Sequence, residues 1–441
     1  MSVQQAVIFA AGDGERMRDY TARPKVLLPM GGRTMLKRHL TALSALGLRE
    51  FVLVVGYRSG EVERFVRERG LDRRYRLHIE RNPEWELGNA RSLWAARHLL
   101  AERFMVVMGD HVYNHTALQG LLDWPGDFVG VFDSRPRFEQ SDEATRAWVE
   151  NGRVVRLGKD LEEFNALDAG IFVCSRRVLG VLKQCLAEGQ DEWNAVKCAW
   201  IRQVPLWVFD LDGAFWADLD TPTDVNAAAQ ALVQQLPKPR DGIVARLLNR
   251  RISIPLSQRL TRTALTPDHI TLLSFLLAVG GALAFALGTW GGAAVGGLLA
   301  QASSILDGCD GEVARLRASG SARGAWTDSL LDRWADALIL AGMAYGFATA
   351  HTASWVWGLA FLALAGAYSI SYSESRYKSA FGQALPYEGG LPAKRDVRLF
   401  LALLGGLLNA VPLALALIAV LSFAEVFRRL WRYGVRSPLR G

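Results

Sequence analysis

Cysteine is scarce in this chain, with four residues among 441, at Cys174, Cys185, Cys198 and Cys309. None stands at CxxC spacing, which excludes a zinc ribbon, and their placement sets up no disulfide framework. Reduced thiols in a cytoplasmic setting are the expectation. A signal-peptide pattern is missing too, because the N-terminus runs straight into the strand-like AVIFAAG of Ala6–Gly12. Long apolar runs are absent up to about Leu236, where charges mix with short hydrophobic stretches as in a soluble domain. From Thr266 onward such runs dominate. The formal charge of +7 would suit nucleic acid. Once membrane spans are admitted, basic residues at a cytoplasmic face account for that charge, and no nucleic-acid partner is expected.

What the apolar half does contain is acid. Asp307 and Asp310 are i, i+3 on one expected helix, and Asp328 and Asp332 are i, i+4 on the next, so each pair occupies one helix face. Ionised groups at membrane depth are costly and normally face a working cavity. An oxygen-only cluster suits a hard divalent cation such as Mg2+ or Mn2+. The surrounding pattern is D-x-x-D-G-x-x-A-R-x8-G-x3-D-x3-D, met by Asp307, Asp310, Gly311, Ala314, Arg315, Gly324, Asp328 and Asp332. Gly311 and Ala314 clear a lane for a nucleotide, and Arg315 can pair with a phosphate. This pattern resembles the CDP-alcohol phosphotransferase family. The resemblance implies that Asp307, Asp310 and Asp328 hold metal ions over the diphosphate of a CDP-alcohol. It also implies that Asp332 touches the metal site and takes the proton from the attacking hydroxyl.

In the first half, short apolar runs at Ala6–Ala10, Phe51–Gly56, Phe104–Met108, Phe128–Phe132 and Ile171–Cys174 read as buried strands. Thr34–Leu46 and Ala90–Leu100 read as helices between them. The alternation predicts an α/β, Rossmann-like, mostly parallel sheet with ligands at the carboxyl ends of its strands. The first strand opens into Ala11-Gly12-Asp13-Gly14-Glu15-Arg16, followed by Pro24-Lys25. A Gly-rich loop in that place lets backbone N–H groups wrap a triphosphate, with Arg16 and Lys25 supplying charge. The combination AAGxGxRM…PKxLLP is similar to the sugar-1-phosphate nucleotidyltransferase family over most of residues 3–235. That resemblance places Gly88 and Asn89 at the nucleotide base and Asp110 and Asp218 on Mg2+. It puts Lys159, Asp168 and Gly170 at the sugar phosphate. Asp220, just before Thr-Pro, reads as a helix cap. The loop itself leaves the base open.

Three domains are therefore expected: a nucleotidyltransferase over 1–236, a linker with a juxtamembrane helix over 237–265, and an all-α membrane domain over 266–441. Pro237–Arg240 punctuates the boundary. Asp241–Arg262 then sets Ile243, Val244, Leu247, Leu248 and Ile252 against Arg246, Arg250, Arg251, Arg259 and Arg262, as a helix lying among lipid headgroups would. Six spans are predicted near Ile270–Leu287, Gly291–Leu306, Ser329–Ala350, Trp355–Tyr372, Val397–Asn409 and Val411–Val426. The loops after the first, third and fifth lack Lys and Arg, whereas the others are rich in them. A multi-pass protein of the cell membrane follows, with both active sites facing the cytoplasm. Arg376, Lys378, Arg395 and Arg398 are candidates for the phosphate of a second, acceptor substrate.

One domain that makes an activated nucleotide and another that consumes one explain each other, and the pairing selects CTP for the first. The arrangement is similar to a family of bifunctional enzymes that make CDP-inositol from CTP and inositol-1-phosphate. Those enzymes then transfer phosphoinositol to a second inositol-1-phosphate, releasing CMP and leaving an osmolyte precursor. A lipid acceptor, as in phosphatidylinositol-phosphate synthesis, is the rival reading. A transporter or scaffold is the remote one, since intramembrane acids also mark ion paths. A homodimer through the membrane domain is implied by the resemblance alone.

Overall fold

The computed structural model describes residues 3–18, 20–138, 144–238, 241–386 and 390–435. Pro239 and Arg240 of the expected linker, and the tail past Val435, lie outside them. The chain divides into two compact units, Met1–Gln234 with Leu316–Ser319, and Gln235–Arg315 with Gly320–Gly441.

The first unit is built on a nine-stranded sheet: β1 Gln5–Ala10, β2 Glu50–Val55, β3 Arg76–Arg81, β4 Arg103–Met108, β5 Phe128–Asp133, β6 Arg146–Glu150, β7 Arg153–Gly158, β8 Ala166–Ser175 and β9 Trp207–Asp210. Their spatial order is β3-β2-β1-β4-β8-β5-β9-β7-β6. Of the expected mostly parallel sheet, the first four strands in that order pair in parallel, as do β5 and β9. The long β8 runs antiparallel to both β4 and β5, so the sheet is mixed. The strands read from apolar runs are central ones, buried on both faces. Those without a run, β3, β6, β7 and β9, lie toward the edges of the sheet and are partly exposed. One apolar layer sits on each face, the first built around Leu36, Leu40, Phe51 and Ile171, the second around Phe104, Phe172, Trp193 and Trp200.

The second unit is helical, and among the described residues its long helices cover the six predicted segments. After α1, Arg250–Leu260, come α2, Pro267–Ala286, α3, Trp290–Leu316, and α4, Ala322–His351. They are followed by α5, Val356–Phe381, α6, Arg395–Leu407, and α7, Val411–Arg429. Three of them, α2, α5 and α7, are long and apolar enough to cross a membrane. The other three depart from that pattern for identifiable reasons. α3 and α4 carry the acids, and the 13 residues of α6 reach only about 20 Å at 1.5 Å per residue. Glycine sets the packing where backbones touch: a Cβ on Gly342 would lie 2.2 Å from the Ala282 carbonyl oxygen, and one on Gly346 would clash with that of Phe285. Small residues there replace hydrophobic drive with close van der Waals contact. Leu272, Leu276, Leu283, Phe361, Leu413 and Val420 point outward.

The helix expected to lie among headgroups has an unforeseen polar inner face. Asn249 bonds Ser304 and Gln301 of α3. Ser253 and Ser257 donate to the fully buried Glu312 at 2.7 and 2.6 Å. Arg250 joins Glu312 to Asp241. Glu312 leaves α3 on the side opposite Asp310, so this network holds the back of the acid-bearing helix. Ile243, Leu247 and Ile252 remain exposed.

Candidate active sites

In the first unit the candidate site residues collect where β1 and β4 end. Gly14 adopts φ 59° and starts a short helical turn over Glu15–Met17. A Cβ there would strike the Lys25 side chain at 2.8 Å, so the glycine is what lets the lysine through. Lys25 Nζ lies 3.5 Å from Asp110 and also pairs with Asp220. Burial works against its charge, but Asp110 and Asp220 outweigh that and hold Lys25 above the ordinary lysine range. Arg16 reaches Asp220 at 3.9 Å. The helix cap expected at Asp220 is instead made by Thr221 and Asp224, which exchange hydrogen bonds. Asp220 is thereby free to serve the site.

Asp110 follows β4, and Asp218 ends a short strand, Trp216–Asp218, paired with His111–Tyr113. His111 Nδ1 stands 3.1 Å from Asp110 and 3.6 Å from Asp218. These three side chains offer ligand atoms within 4.8 Å of one another. Burial, opposed by His111 and reinforced by Asp110 and Asp220, pushes the Asp218 carboxyl up to about 7. Such crowding of carboxylates is relieved by a bound divalent cation, and the donor set fits one. Gly170 at φ 73° leaves room for the His111 ring, which a Cβ would meet at 2.8 Å.

The remaining expected residues are placed as follows. Ala11 is buried, and its carbonyl accepts from Tyr57 N–H. Gly12 and Asp13 lie in the loop, with Asp13 paired to Arg18. Asp13, Gly14, Arg18, Lys25, Tyr57 and Arg58 line a cleft of about 180 Å³. Gly88 packs on the Asp191 backbone, and Asn89 Oδ1 accepts from Trp193 N–H at 2.6 Å. Asp168 is buried against Lys197, a partner not foreseen, and accepts from Gly170 N–H at 2.8 Å. Lys159 is exposed in the turn after β7.

His39 is the hidden support of this loop. Its Nε2 donates to the Gly109 carbonyl at 3.1 Å and its Nδ1 meets the Tyr113 hydroxyl at 3.0 Å. Burial pushes its pKa down to about 4. The unfolded chain, with His near 6.5, binds that proton more readily between the two values, so stability falls as pH drops through this window. At 1.36 kcal/mol per unit the loss amounts to about 3 kcal/mol by pH 4. Calorimetry of the detergent-solubilised protein should show that slope in the difference between wild type and His39→Gln, since the raised Asp218 carboxyl contributes the opposite slope over the same window in both; a difference that does not change with pH assigns the effect elsewhere.

In the helical unit Asp307, Asp310 and Asp328 offer ligand oxygens within 4.8 Å of one another. Asp310 accepts from the Thr271 hydroxyl and from Gly311 N–H. Asp328 Oδ1 is buried without a hydrogen-bond partner. An orphaned carboxylate oxygen in an oxygen-only set fits a hard cation. Asp332 lies 2.9 Å from Arg395 Nη1 and 3.4 Å from Arg333. Arg395 also meets Asp307 at 3.0 Å. Arg315 donates to the Leu236 carbonyl and keeps a buried, unpartnered Nε. Gly311 borders Arg315, Ala314 is half-buried beside it, and Gly324 receives the Ser321 cap. A cavity of about 570 Å³ is lined by Asp307, Asp332, Lys394, Arg395 and Arg398, among others. Arg376 and Lys378, expected with them, are exposed on α5 and line no part of it.

Two acid-centred sites, one beside a glycine-containing strand-to-helix loop and one within a helical bundle, define a membrane-associated transferase. It joins a nucleotidyltransferase to a CDP-alcohol phosphotransferase. Residues 6–197 match the MobA-like NTP transferase domain, and residues 264–427 match the CDP-alcohol phosphatidyltransferase family. A bifunctional IPC transferase and DIPP synthase from Rubrobacter xylanophilus is 43% identical over 427 residues, covering 96% of this chain and 95% of its own. Its namesake from Archaeoglobus fulgidus is 34% identical over 418 residues, 94% of this chain and 80% of its own. The solved inositol-1-phosphate CTP transferase from T. maritima is 25% identical, with a TM-score of 0.47, over 52% of this chain and 96% of that one. The chain belongs to the bifunctional IPC transferase and DIPP synthase family.

Proposed function

We propose that the enzyme carries out two consecutive transfers: CTP and inositol-1-phosphate give CDP-inositol and pyrophosphate, and phosphoinositol then passes to a second inositol-1-phosphate with release of CMP. The observation that carries this reading is the presence of both acid-centred sites in one chain that aligns end to end with bifunctional relatives. In the first step a phosphate oxygen of the polyol attacks the α-phosphorus of CTP, and the bond to pyrophosphate breaks in line. In this reading Lys25, Arg16 and the Gly12–Gly14 amides neutralise the triphosphate, Gly88 and Asn89 serve the base, and Lys159, Asp168 and Gly170 serve the polyol phosphate. Asp110 and Asp218, joined by His111 and Asp220, would hold Mg2+ or Mn2+. In the second step an acceptor hydroxyl attacks the inositol-bearing phosphorus of the CDP-alcohol, and the bond to CMP breaks. Asp332 accepts the proton. Arg315, beside Gly311 and Ala314, faces the diphosphate. A divalent cation on Asp307, Asp310 and Asp328 would supply charge neutralisation there.

The same reading has six spans, the soluble domain of residues 1–236 and both sites on the cytoplasmic side, and a homodimer through the helical unit. Membranes containing the protein, given Mg2+, CTP and radiolabelled inositol-1-phosphate and then extracted with organic solvent, test it. Label should enter a water-soluble product larger than CDP-inositol. Label in the organic phase would replace the soluble acceptor with a lipid, and failure to form CDP-inositol would exclude the polyol.

A further inference from the structure

The acid motif does not stop at Asp332. Asp336 continues the same stripe of α4, as Asp328, Asp332 and Asp336 recur every fourth residue. It is almost wholly buried, at 4% exposure, and both of its oxygens are committed to arginines of α6. Oδ1 accepts from Arg395 Nε at 3.1 Å and Oδ2 from Arg398 Nη2 at 2.6 Å. The geometry then divides the two arginines. Arg398 spends its other arm on the Ala393 carbonyl at 3.0 Å, fixing the segment that leads into α6 and lines the cavity. Arg395, held at Nε, is left with Nη1 between Asp307 and Asp332, at 3.0 and 2.9 Å.

We propose that Asp336 is a positioning residue for the phosphotransfer step, aiming the Arg395 guanidinium into the acceptor side of the cavity beside Asp332. This rests on the transfer reaction proposed above. An anionic acceptor whose hydroxyl approaches Asp332 meets Arg395 Nη1 first, so the guanidinium selects for a phosphorylated polyol and sets its hydroxyl against the base. The fork geometry of arginine permits one edge to be held while the other works, which an ammonium cannot do. Without the Asp336 charge, two neighbouring buried guanidiniums lose their shared counter-ion. Arg395 then turns fully onto Asp307 and Asp332, in competition with the acceptor.

The test is steady-state kinetics on the full-length protein, following CDP-inositol formation and phosphoinositol transfer separately. For Asp336→Asn, formation of CDP-inositol should stay at the wild-type rate, since that chemistry belongs to the other unit. Transfer should fall about 10- to 100-fold, the usual cost of removing support from a working group. The loss should appear chiefly as a raised KM for inositol-1-phosphate, with the KM for CDP-inositol within about twofold. Asp336→Glu, which keeps the charge, should recover part of it. A parallel rise in both KM values, or no rise in either, overturns the assignment and leaves Asp336 a structural ion pair. If Asp336→Asn does not elute as a monodisperse species in detergent, Asp336→Glu decides, because its longer arm displaces the guanidinium; a wild-type acceptor KM in that variant also overturns the assignment. Wild-type protein that makes CDP-inositol but transfers nothing to inositol-1-phosphate refutes the reaction itself, and that result is visible before any variant is compared.

Discussion

Asp332→Asn should halt the second transfer while the first continues, so that CDP-inositol accumulates in the medium. The side chain is not among the three carboxylates that offer ligand oxygens within 4.8 Å of one another, and Arg395 lies 2.9 Å from one of its oxygens. An acceptor hydroxyl in water is a poor nucleophile, and its proton must leave as the new P–O bond forms. A positioned carboxylate supplies about 10²–10⁴-fold to such a step. Asparagine keeps the volume and can still face Arg395, but it takes up no proton. A drop of about 10³ in the transfer rate is therefore expected. Chromatography of nucleotides from CTP and inositol-1-phosphate would show CDP-inositol rising without CMP. A transfer rate within tenfold of wild type would move the base elsewhere, with Asp307 the next group in reach of Arg395.

Much of this architecture is legible in local patterns, because local patterns are what a sequence records directly. Buried strands appear as apolar runs, and the i, i+3 and i, i+4 acids appear as single helix faces. The mixed character of the sheet was not legible, since nothing inside Ala166–Ser175 states which way it runs beside its neighbours. The edge strands were hidden by their half-exposed, charged faces. Site residues missed at the sequence level share one property: their partners are distant in the chain. Asp220 looked like a cap until Lys25, 195 residues away, took it as a counter-ion. His111 was readable as the residue after Asp110, yet its reach to Asp218 depends on the pairing of two short strands. Ser253, Ser257 and Glu312 meet across two helices. Asp336 did leave a trace, the third beat of the four-residue repeat, but its meaning lies in Arg395 and Arg398 about 60 residues on.

That contrast also separates Arg395 and Arg398 from Arg376 and Lys378. All four are cations at the expected cytoplasmic edge, and spacing alone treats them alike. Burial splits them: the first pair enters the cavity held by an acid, and the second stays on the exposed end of α5. A topology signal needs only a charge near the headgroups, whereas a binding group needs its charge aimed, which takes a fixed partner.

Asp110→Ala should abolish the first transfer and leave the second intact, the mirror image of the Asp332 variant. Burial raises the cost of an ionised Asp110, yet the His111 hydrogen bond and the Lys25 charge outweigh it and keep the carboxyl well below its usual range. It is thus an anion at neutral pH, within 4.8 Å of the ligand atoms of His111 and Asp218. Removing it takes away a metal ligand and a counter-ion of Lys25 together. Charge stabilisation by a bound cation is worth several kcal/mol, and at about 1.4 kcal/mol per tenfold the expected loss is at least about 10³ in CDP-inositol formation. Raising Mg2+ should restore little, because the ligand rather than the ion is missing. Supplying CDP-inositol should restore the final product at the wild-type rate, since the chemistry of the helical unit does not draw on Asp110. A variant that stays inactive with added CDP-inositol would mean that the intermediate reaches the second site only from the first. Recovery of the final product would show that the second site takes CDP-inositol from solution.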